Sequence, residues 1–378
     1  MKKICFITGT RADYGILSPV MKEIAKSGEA TLQVIATNMH LSPKFGMTVD
    51  EIEKDGIKID ARIESLVEGD GAESAVESMG KVQKGLAEVF PVLDPDMVVI
   101  LGDRYEALAA AASAVAFNIP VAHLHGGETT EGAIDNKFRH AITQLADYHF
   151  AATPQYVDKI VSMGINPERV YHSGAPGAEA LEEDYSKKLV ELFYNKTGIH
   201  PLEKYLILAM HPVTMLEDKG QQEVKEVLKA LDDFIGDEFK VLVTGSNSDP
   251  GNQSVSSLIE NWVRNNPGKA VMVSSLGSEL FHFAMDHAAA IVGNSSAALI
   301  EAPTYRLPAV NVGIRQKGRA HGCTVIDAGA EKEKILQALK AATSLEMKSV
   351  TMGMPVHVLN PYYKADSAKF IAQVLIKI

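Results

Sequence analysis

Short hydrophobic runs rich in β-branched residues alternate with longer amphipathic segments along the whole chain. This alternation is typical of βα units built around a parallel sheet. In the first half the predicted strands are Lys3–Thr8, Leu32–Thr37, Met97–Leu101, Pro120–His125 and His149–Ala152. In the second half they are Tyr205–Met210, Lys240–Thr244, Ala270–Ser274, Ala289–Val292 and Ala309–Val312. The pattern therefore predicts an α/β protein with two doubly wound parallel sheets.

A polar helical stretch after Gly174 separates the two series of strands. We therefore predict an N-terminal Rossmann-like domain over residues 1–175 and a second over residues 176–360. Pro361 interrupts the chain, and Ser367–Ile378 then has the pattern of a final amphipathic helix within residues 361–378. Neither a short-period repeat nor a Ser/Gly linker is visible, which argues against a solenoid or a chain of loosely tethered modules.

Composition narrows the partners that this chain can have. The 378 residues are 46% hydrophobic and 22% charged, and their net charge of -11 disfavours nucleic acid and anionic membranes. A phosphate ligand would thus need local arginines. The widely spaced Cys5 and Cys323 indicate neither a disulfide framework nor a zinc site. With no hydrophobic run of signal-peptide type near the start, we expect a cytoplasmic protein.

Polar residues directly after the strands carry most of the functional information, because ligands of parallel sheets collect at the carboxyl ends of strands. Three such loops follow strands of the first half: Thr8–Arg11, Gly102–Glu106 and His123–Glu128. The first has small residues before Arg11 but lacks the GxGxxG spacing, so alone it is a weak signal. Asp103 could simply cap a helix, and one of the two histidines in the third loop could simply lie in the core.

Three acids nevertheless fall near neighbouring loops of one sheet: Asp103, Glu128 and Asp135. Arg139 lies four residues after Asp135, on the same face of a predicted helix, where a surface ion pair is the plain alternative. Clustered carboxylates indicate proton transfer or a divalent metal. Since adjacent arginines would repel a cation, we favour acid–base chemistry.

The second half has its own set of polar loops. His211 follows a strand and is oriented by Pro212, while Gly245–Asp249 is a polar turn. The segment Gly293–Ser296 opens a predicted helix through Glu301 and offers amides, hydroxyls and a favourable dipole to a diphosphate. Three cations stand in the glycine-flanked loop 313–319, although a merely solvated basic loop would have the same composition.

Taken in order, the segments GTRADYG, TNMHLSPKFGMT, LGDRYEA, HLHGGETTEGAIDNKFRHAIT, HPVT, GNSSAALIEAP and NVGIRQKGR resemble the UDP-N-acetylglucosamine 2-epimerase family. They span about residues 4 to 320. The non-hydrolysing branch of that family typically carries HGDT where this chain has LGDR, and HVEAGLR where it has HLHGGE. The chain therefore resembles the hydrolysing branch more closely.

The resemblance implies a fold like that of the GT-B glycosyltransferases, with a cleft between two Rossmann-like halves and a C-terminal helix that crosses back to the first half. It also implies that the second domain holds the nucleotide. Ser295 and Ser296 would bind the diphosphate and Glu301 the ribose. The other substrate contacts expected on this basis are Arg11, His40, Arg104, Arg139, Asn247 and Arg315.

The implied reaction is anti-elimination of UDP to a 2-acetamidoglycal, followed by syn addition of water that yields the free C2 epimer. Asp103, Glu128 and Asp135 are the acid–base candidates, and His211 would contact the diphosphate or protonate the leaving group. No redox cofactor and no metal are expected. The substrate would be UDP-N-acetylglucosamine or a UDP-linked 2,4-diacetamido-6-deoxy sugar, and a homodimer or homotetramer is expected.

Three other functions remain open from the sequence. A GT-B glycosyltransferase shares the fold and the nucleotide loop but needs an acceptor site rather than three clustered acids. A non-hydrolysing epimerase would return the UDP-linked epimer. A UDP-sugar sensor would bind without turnover, which the clustered acids argue against.

Overall fold

The computed structural model describes residues 1–69, 71–179, 187–245, 249 and 251–378. Within them the chain divides into two compact units. Unit 1 contains Met1–Glu128, Ile134–Gly177 and Lys364–Ile378; unit 2 contains Thr129–Ala133 and Ala178–Tyr363. Each unit is built on its own parallel sheet flanked by helices, which confirms the predicted fold class.

The described part of unit 1 has a seven-stranded parallel sheet in the order β3-β2-β1-β4-β5-β6-β7. Its strands are β1 Lys2–Thr8, β2 Ala30–Thr37, β3 Ala61–Ile63, β4 Met97–Leu101, β5 Val121–Leu124, β6 Tyr148–Ala151 and β7 Val170–His172. The strand order reverses between β1 and β4, so their carboxyl ends open the crevice where ligands of such sheets bind.

Alternate side chains of the unit 1 strands pack into two apolar layers. Ile4 and Phe6 lie in one layer, whereas Cys5 and Ile7 lie in the other. Burial on both faces explains why the strands are nearly continuous hydrophobic runs. The helices of unit 1 are α1 Arg11–Ser27, α2 Val49–Lys54, α3 Ala72–Leu93, α4 Tyr105–Ala116, α5 Asp135–Leu145, α6 Pro154–Ser162 and α15 Ser367–Lys377.

The sheet of unit 2 has six strands among the described residues, in the order β10-β9-β8-β11-β12-β13. They are β8 Tyr205–Ala209, β9 Lys240–Thr244, β10 Ala270–Val273, β11 Ala290–Gly293, β12 Ala309–Val312 and β13 Val325–Ala328. The order reverses between β8 and β11. The helices are α7 Lys187–Thr197, α8 Gln221–Ile235, α9 Asn252–Asn265, α10 Ser278–His287, α11 Ala297–Ile300, α12 Lys332–Ala342, α13 Leu345–Gly353 and α14 Val356–Leu359.

All the strands predicted from the hydrophobic pattern are present, with ends that differ by at most two residues. The strands β3, β7 and β13 were not predicted. All three lie at sheet edges, and β3 and β7 are only three residues long with partly exposed side chains. A short edge strand needs no continuous apolar run, so its sequence carries little signal.

The last helix, α15, belongs to unit 1 although it follows unit 2 in sequence. Its Ile371 and Leu375 join the same apolar cluster as Val20 and Ile24 of α1. The Nζ of Lys2 donates a hydrogen bond to the carbonyl of Leu375 at 2.9 Å, which ties the helix to the first strand. Across the described residues, no helix is long and apolar enough to span a bilayer.

Candidate active site

The carboxyl ends of β4 and β5 carry the acids of unit 1. After β4 the chain turns at Gly102, whose φ of 75° is readily adopted only by glycine. Asp103 follows this turn, and its side chain is 21% exposed. After β5 the chain turns at His125, which has a φ of 61° although it is not glycine. Backbone strain of this kind is concentrated at functional sites.

Arg139 on α5 contacts residues from both of these loops. Its Nη2 forms an ion pair with Asp103, and its Nη1 donates to the His125 carbonyl at 2.8 Å. The same Nη1 lies 3.8 Å from Oε2 of Glu128, a fully buried carboxylate. Because the guanidinium is itself almost fully buried, each acid offsets part of its desolvation cost. The structure thus brings together Asp103, Glu128 and Arg139.

Glu128 has a second partner, because its Oε1 lies 2.6 Å from Nδ1 of His125. The Glu128 carboxylate therefore orients the ring of His125, which directly follows β5. Asp135, the third predicted acid, is the first residue of α5 and is mostly buried. It stands one helical turn before Arg139, as its spacing in the sequence predicted.

The arginines predicted near the phosphate lie at the ends of β1 and β4. Arg11 is the first residue of α1, and the loop before it is fixed by a 2.8 Å bond from the Gly9 amide to Asp13. Arg104 directs its Nε to Oε1 of Glu106 at 2.5 Å. Burial raises the pKa of Glu106, although Arg104 opposes that effect. A side chain at Gly9 would approach this carboxylate to 2.8 Å.

His40 lies deeper than a substrate contact would suggest. It is fully buried, with Nε2 3.0 Å from the Thr8 hydroxyl and Nδ1 2.9 Å from the Thr48 hydroxyl. Burial lowers its pKa, so the imidazole is held neutral. In this conformation both ring nitrogens are engaged by hydroxyls, and its role toward the sugar stays a prediction.

In unit 2, Asn294 joins the loops at the point where the strand order reverses. Its Oδ1 accepts the His211 amide at 2.7 Å, and its Nδ2 donates to the His211 carbonyl at 2.9 Å. Its own carbonyl accepts Arg315 Nη1 at 3.1 Å and Gln316 Nε2 at 2.9 Å. Asn294 itself is fully buried. The Asn294 side chain therefore fixes the backbone of the His211 loop, and the Asn294 carbonyl positions two side chains of the basic loop.

The basic loop after β12 is held from a second side by Thr129–Ala133. The Glu131 amide donates to the Lys317 carbonyl at 3.0 Å. A Cβ on Gly132 would lie 2.5 Å from the Ile314 carbonyl oxygen and 2.6 Å from Cα of Arg315, so only glycine permits this approach. Arg315 also lies 3.6 Å from Asp249 through its Nη2. The arginine is thus held by several groups of its own unit.

Ser295 and Ser296 precede α11, a single turn that ends at Ile300, one residue before the predicted end at Glu301. The short helix weakens the dipole expected at the serines. Glu301 follows, and its Oε2 lies 3.8 Å from Nε2 of His282. That histidine is itself 2.6 Å from the Tyr305 hydroxyl through Nδ1.

Two further observations complete the site. Asn247, predicted as a nucleotide contact, lies outside the described residues. The described part of the chain contains no group of three or more His, Cys, Asp and Glu side chains arranged to hold a metal ion.

Comparison with known proteins decides the family. A model described as UDP-N-acetylglucosamine 2-epimerase matches residues 22–376. The chain belongs to this family. It is 35% identical over 353 residues to the GDP/UDP-N,N'-diacetylbacillosamine 2-epimerase (hydrolyzing) of Campylobacter jejuni, covering 92% of this chain and 89% of that protein. It is 34% identical over 342 residues to the UDP-N,N'-diacetylbacillosamine 2-epimerase (hydrolyzing) of Legionella pneumophila, covering 90% and 89%.

A solved epimerase structure has the same fold. The UDP-GlcNAc 2-epimerase of Neisseria meningitidis, bound to UDP-GlcNAc, matches with a TM-score of 0.81 at 20% identity and covers all of both chains. The resemblance to the epimerase family and to its hydrolysing branch is thereby confirmed. So is the prediction that the chain is an enzyme.

The geometry adds residues to the set that the sequence predicted. His125, Glu106, Asn294 and Asp249 contact predicted site residues, and Gln316 contacts Asn294. The sequence did carry a signal for two of them. His125 and Asn294 directly follow the ends of strands beside a sheet crevice, where a polar residue is informative. Gln316 and Asp249 contact residues that are distant in sequence, so spacing gives no sign of them, whereas Glu106 lies two residues after its partner Arg104.

Proposed function

We propose that this enzyme takes a UDP-linked 2-acetamido sugar and water, inverts C2 of the sugar and releases the free epimer and UDP. Unit 1 would supply the groups that move protons, and unit 2 would hold the nucleotide. The observation that carries the proposal is the Asp103–Arg139–Glu128–His125 network at the carboxyl ends of β4 and β5.

The chemistry requires groups of this kind. Removing the proton from C2 needs a positioned base, because the carbon acid is weak. Inversion then requires that a proton return from the opposite face, so two proton-moving groups are needed. Asp103, Glu128 and Asp135 are the candidates for this acid–base chemistry. Arg139 would hold Asp103 and Glu128 in place through its contacts with both carboxylates.

Departure of UDP would depend on unit 2. We propose that Ser295 and Ser296 bind the diphosphate, that Arg315 neutralises its charge and that Glu301 accepts the ribose hydroxyls. His211 would contact the diphosphate or protonate the leaving oxygen, supported by the firm hold that Asn294 has on its backbone. Arg11, Arg104, His40 and Asn247 remain proposed contacts with the substrate.

The names of two relatives favour a 2,4-diacetamido-6-deoxy sugar as the substrate. The description of the family model favours UDP-N-acetylglucosamine instead. The two sugars differ at C4 and C6, so the side chains that face those carbons would decide. We propose the diacetamido sugar first and UDP-N-acetylglucosamine second.

Incubation with each UDP-sugar, without any acceptor, tests the proposal. Release of UDP together with a free sugar inverted at C2 is the expected result. A UDP-linked epimer would identify a non-hydrolysing epimerase. An intact donor that turns over only when an acceptor is added would identify a glycosyltransferase, and tight binding of both donors without turnover would identify a sensor.

Two further properties belong to the same proposal. A cytoplasmic location would give the enzyme access to nucleotide sugars, and we propose it on that ground. We also propose a homodimer or homotetramer, which sedimentation of the purified protein would test.

A further inference from the structure

The pairing of His125 with Glu128 bears on which group takes the proton. Glu128 is fully buried, and both of its carboxylate oxygens are engaged: Oε1 lies 2.6 Å from His125 Nδ1, and Oε2 lies 3.8 Å from Arg139. Such a carboxylate is poorly placed to reach a sugar carbon itself. It is well placed to act on the imidazole, as a carboxylate does when it orients a catalytic histidine.

The hydrogen bond decides which ring nitrogen of His125 is basic. A carboxylate accepts the proton of Nδ1, so Nε2 carries the lone pair in the neutral ring. That Nε2 is buried and has no hydrogen-bond partner among the described residues. An unsatisfied buried nitrogen is costly, and it calls for an explanation such as a catalytic role.

The backbone conformation of His125 fixes the position of its ring. His125 has a φ of 61°, its amide donates to the Phe150 carbonyl at 3.1 Å, and its carbonyl accepts Arg139. A residue with a β-carbon is unfavourable at positive φ, so the neighbouring contacts must hold this conformation.

The contrast with His123, two residues earlier on β5, is informative. His123 uses Nε2 to donate to the Gly102 carbonyl at 2.7 Å, and burial lowers its pKa to about 3.

We propose that His125 is the catalytic base of the elimination and that Glu128 is its positioning residue. The proposal rests on the epimerase function proposed above. Nε2 takes the proton from C2, the C–H electron pair forms the C1–C2 double bond, and the C1–O bond breaks as UDP leaves with its electron pair. The imidazolium then loses the proton to solvent. In the hydration step, a different group, Asp103 or Asp135, which has taken a proton from solvent, gives that proton to C2, while water bonds to C1 and releases its second proton to solvent.

The first test compares matched histidine variants. His125→Gln is expected to lower kcat about 100-fold or more, with UDP affinity unchanged within about threefold. His123→Gln is the control, because its amide can still donate to the Gly102 carbonyl, and it should keep kcat within about threefold of the parent. Thermal unfolding of both variants checks that the fold is intact.

The second test asks whether the lost base can be replaced. His125→Gly suits the positive φ and removes the ring, so added imidazole should restore turnover. Rescue should depend on the pKa of the added azole, which a structural role would not produce. His125→Glu restores a base at the same position, and its activity should persist to lower pH because carboxyl groups ordinarily titrate about two units below imidazole.

The outcomes separate the two proposals. A parent enzyme that releases no sugar from either UDP-sugar would overturn the epimerase function and, with it, this role of His125. An active parent whose His125→Gln variant keeps its kcat within threefold would overturn only the role of His125. The role of His125 would also be overturned if no azole restored turnover to His125→Gly and His125→Glu kept the pH profile of the parent.

Discussion

The two units build their sites by different means. In unit 1, charged side chains from β4, β5 and α5 neutralise one another, with Arg139 at the centre of two acids. In unit 2, an uncharged residue, Asn294, organises the loops: its side chain bonds to the His211 backbone, and its carbonyl accepts a hydrogen bond from Gln316. The first arrangement can move protons, and the second can hold an anion without moving any. Substitution of the unit 1 acids should therefore affect turnover, and substitution of Asn294 or Arg315 in unit 2 should affect nucleotide affinity.

The largest effect is expected for Asp103→Asn. It removes the ion-pair partner of Arg139 and one proposed proton donor, so kcat should fall by about 10²–10⁴-fold. The affinity for UDP should stay within about threefold, because the nucleotide is assigned to unit 2. Steady-state kinetics and calorimetric titration with UDP measure both quantities.

Asp158→Asn, on the exposed face of α6, is the matched control and should leave kcat unchanged. If Asp103→Asn lost UDP affinity while its kcat was retained, the division of labour between the units would be wrong.

Arg315→Ala should have the next largest effect, and on binding rather than on chemistry. Loss of a charge-assisted contact to the diphosphate is expected to weaken UDP binding about 10–100-fold. The control is Lys317→Ala in the same loop, whose side chain is 67% exposed and should matter far less. Equal losses of UDP affinity in the two variants would indicate that the overall positive charge of the loop attracts the diphosphate, rather than a specific contact from Arg315.

A smaller effect is expected for Asn294→Asp. The carboxylate can still accept the His211 amide but cannot donate to the His211 carbonyl, so UDP affinity should fall about tenfold. Asn311→Ala is the control, because its Nδ2 bonds only to Asp327 among the described contacts, at 2.7 Å. A tenfold loss in the control as well would show that any buried asparagine of this sheet has the same effect.

The smallest effect concerns stability and Glu223, a carboxyl at the start of α8. Burial raises its pKa from 4.5 to about 7. The folded state therefore binds more protons than the unfolded state between those values, and stability falls as pH rises through that window. Glu223→Gln has no carboxyl to ionise, so it avoids this loss of stability. At about pH 8.5 its Tm should therefore exceed that of the parent, by roughly 2–4 °C for each kcal/mol of unfolding free energy that is retained.

At acidic pH, near the unfolded pKa of 4.5, the two proteins should unfold at closely similar temperatures. A Tm difference that does not change with pH would show that Glu223 is not the group responsible.

The comparison of the two units also shows which features of the fold and the site could be predicted from the sequence. Central strands such as Met97–Leu101 and Lys240–Thr244 were predicted to the residue, because burial on both faces demands an unbroken apolar run. The acids of unit 1 were found because they follow such strands. Their partner Arg139 was also predicted as a site residue, but the link from His125 to Glu128 was not, since it depends on a backbone turn at positive φ that ordinary residue patterns do not encode.

The helix after Ser296 was predicted to within one residue of its end at Ile300. By contrast, Asp249 reaches its partner Arg315 through a side-chain contact between residues far apart in sequence, which the pattern of polar positions does not record.

The central claim is that unit 1 exchanges a proton at C2 of the sugar as UDP leaves. Running the reaction in D2O and following it by NMR measures this directly. The account predicts one deuterium at C2 of the released, inverted sugar for each UDP formed. Retention of the original hydrogen at C2, or release of a sugar with the configuration of the substrate, would contradict it.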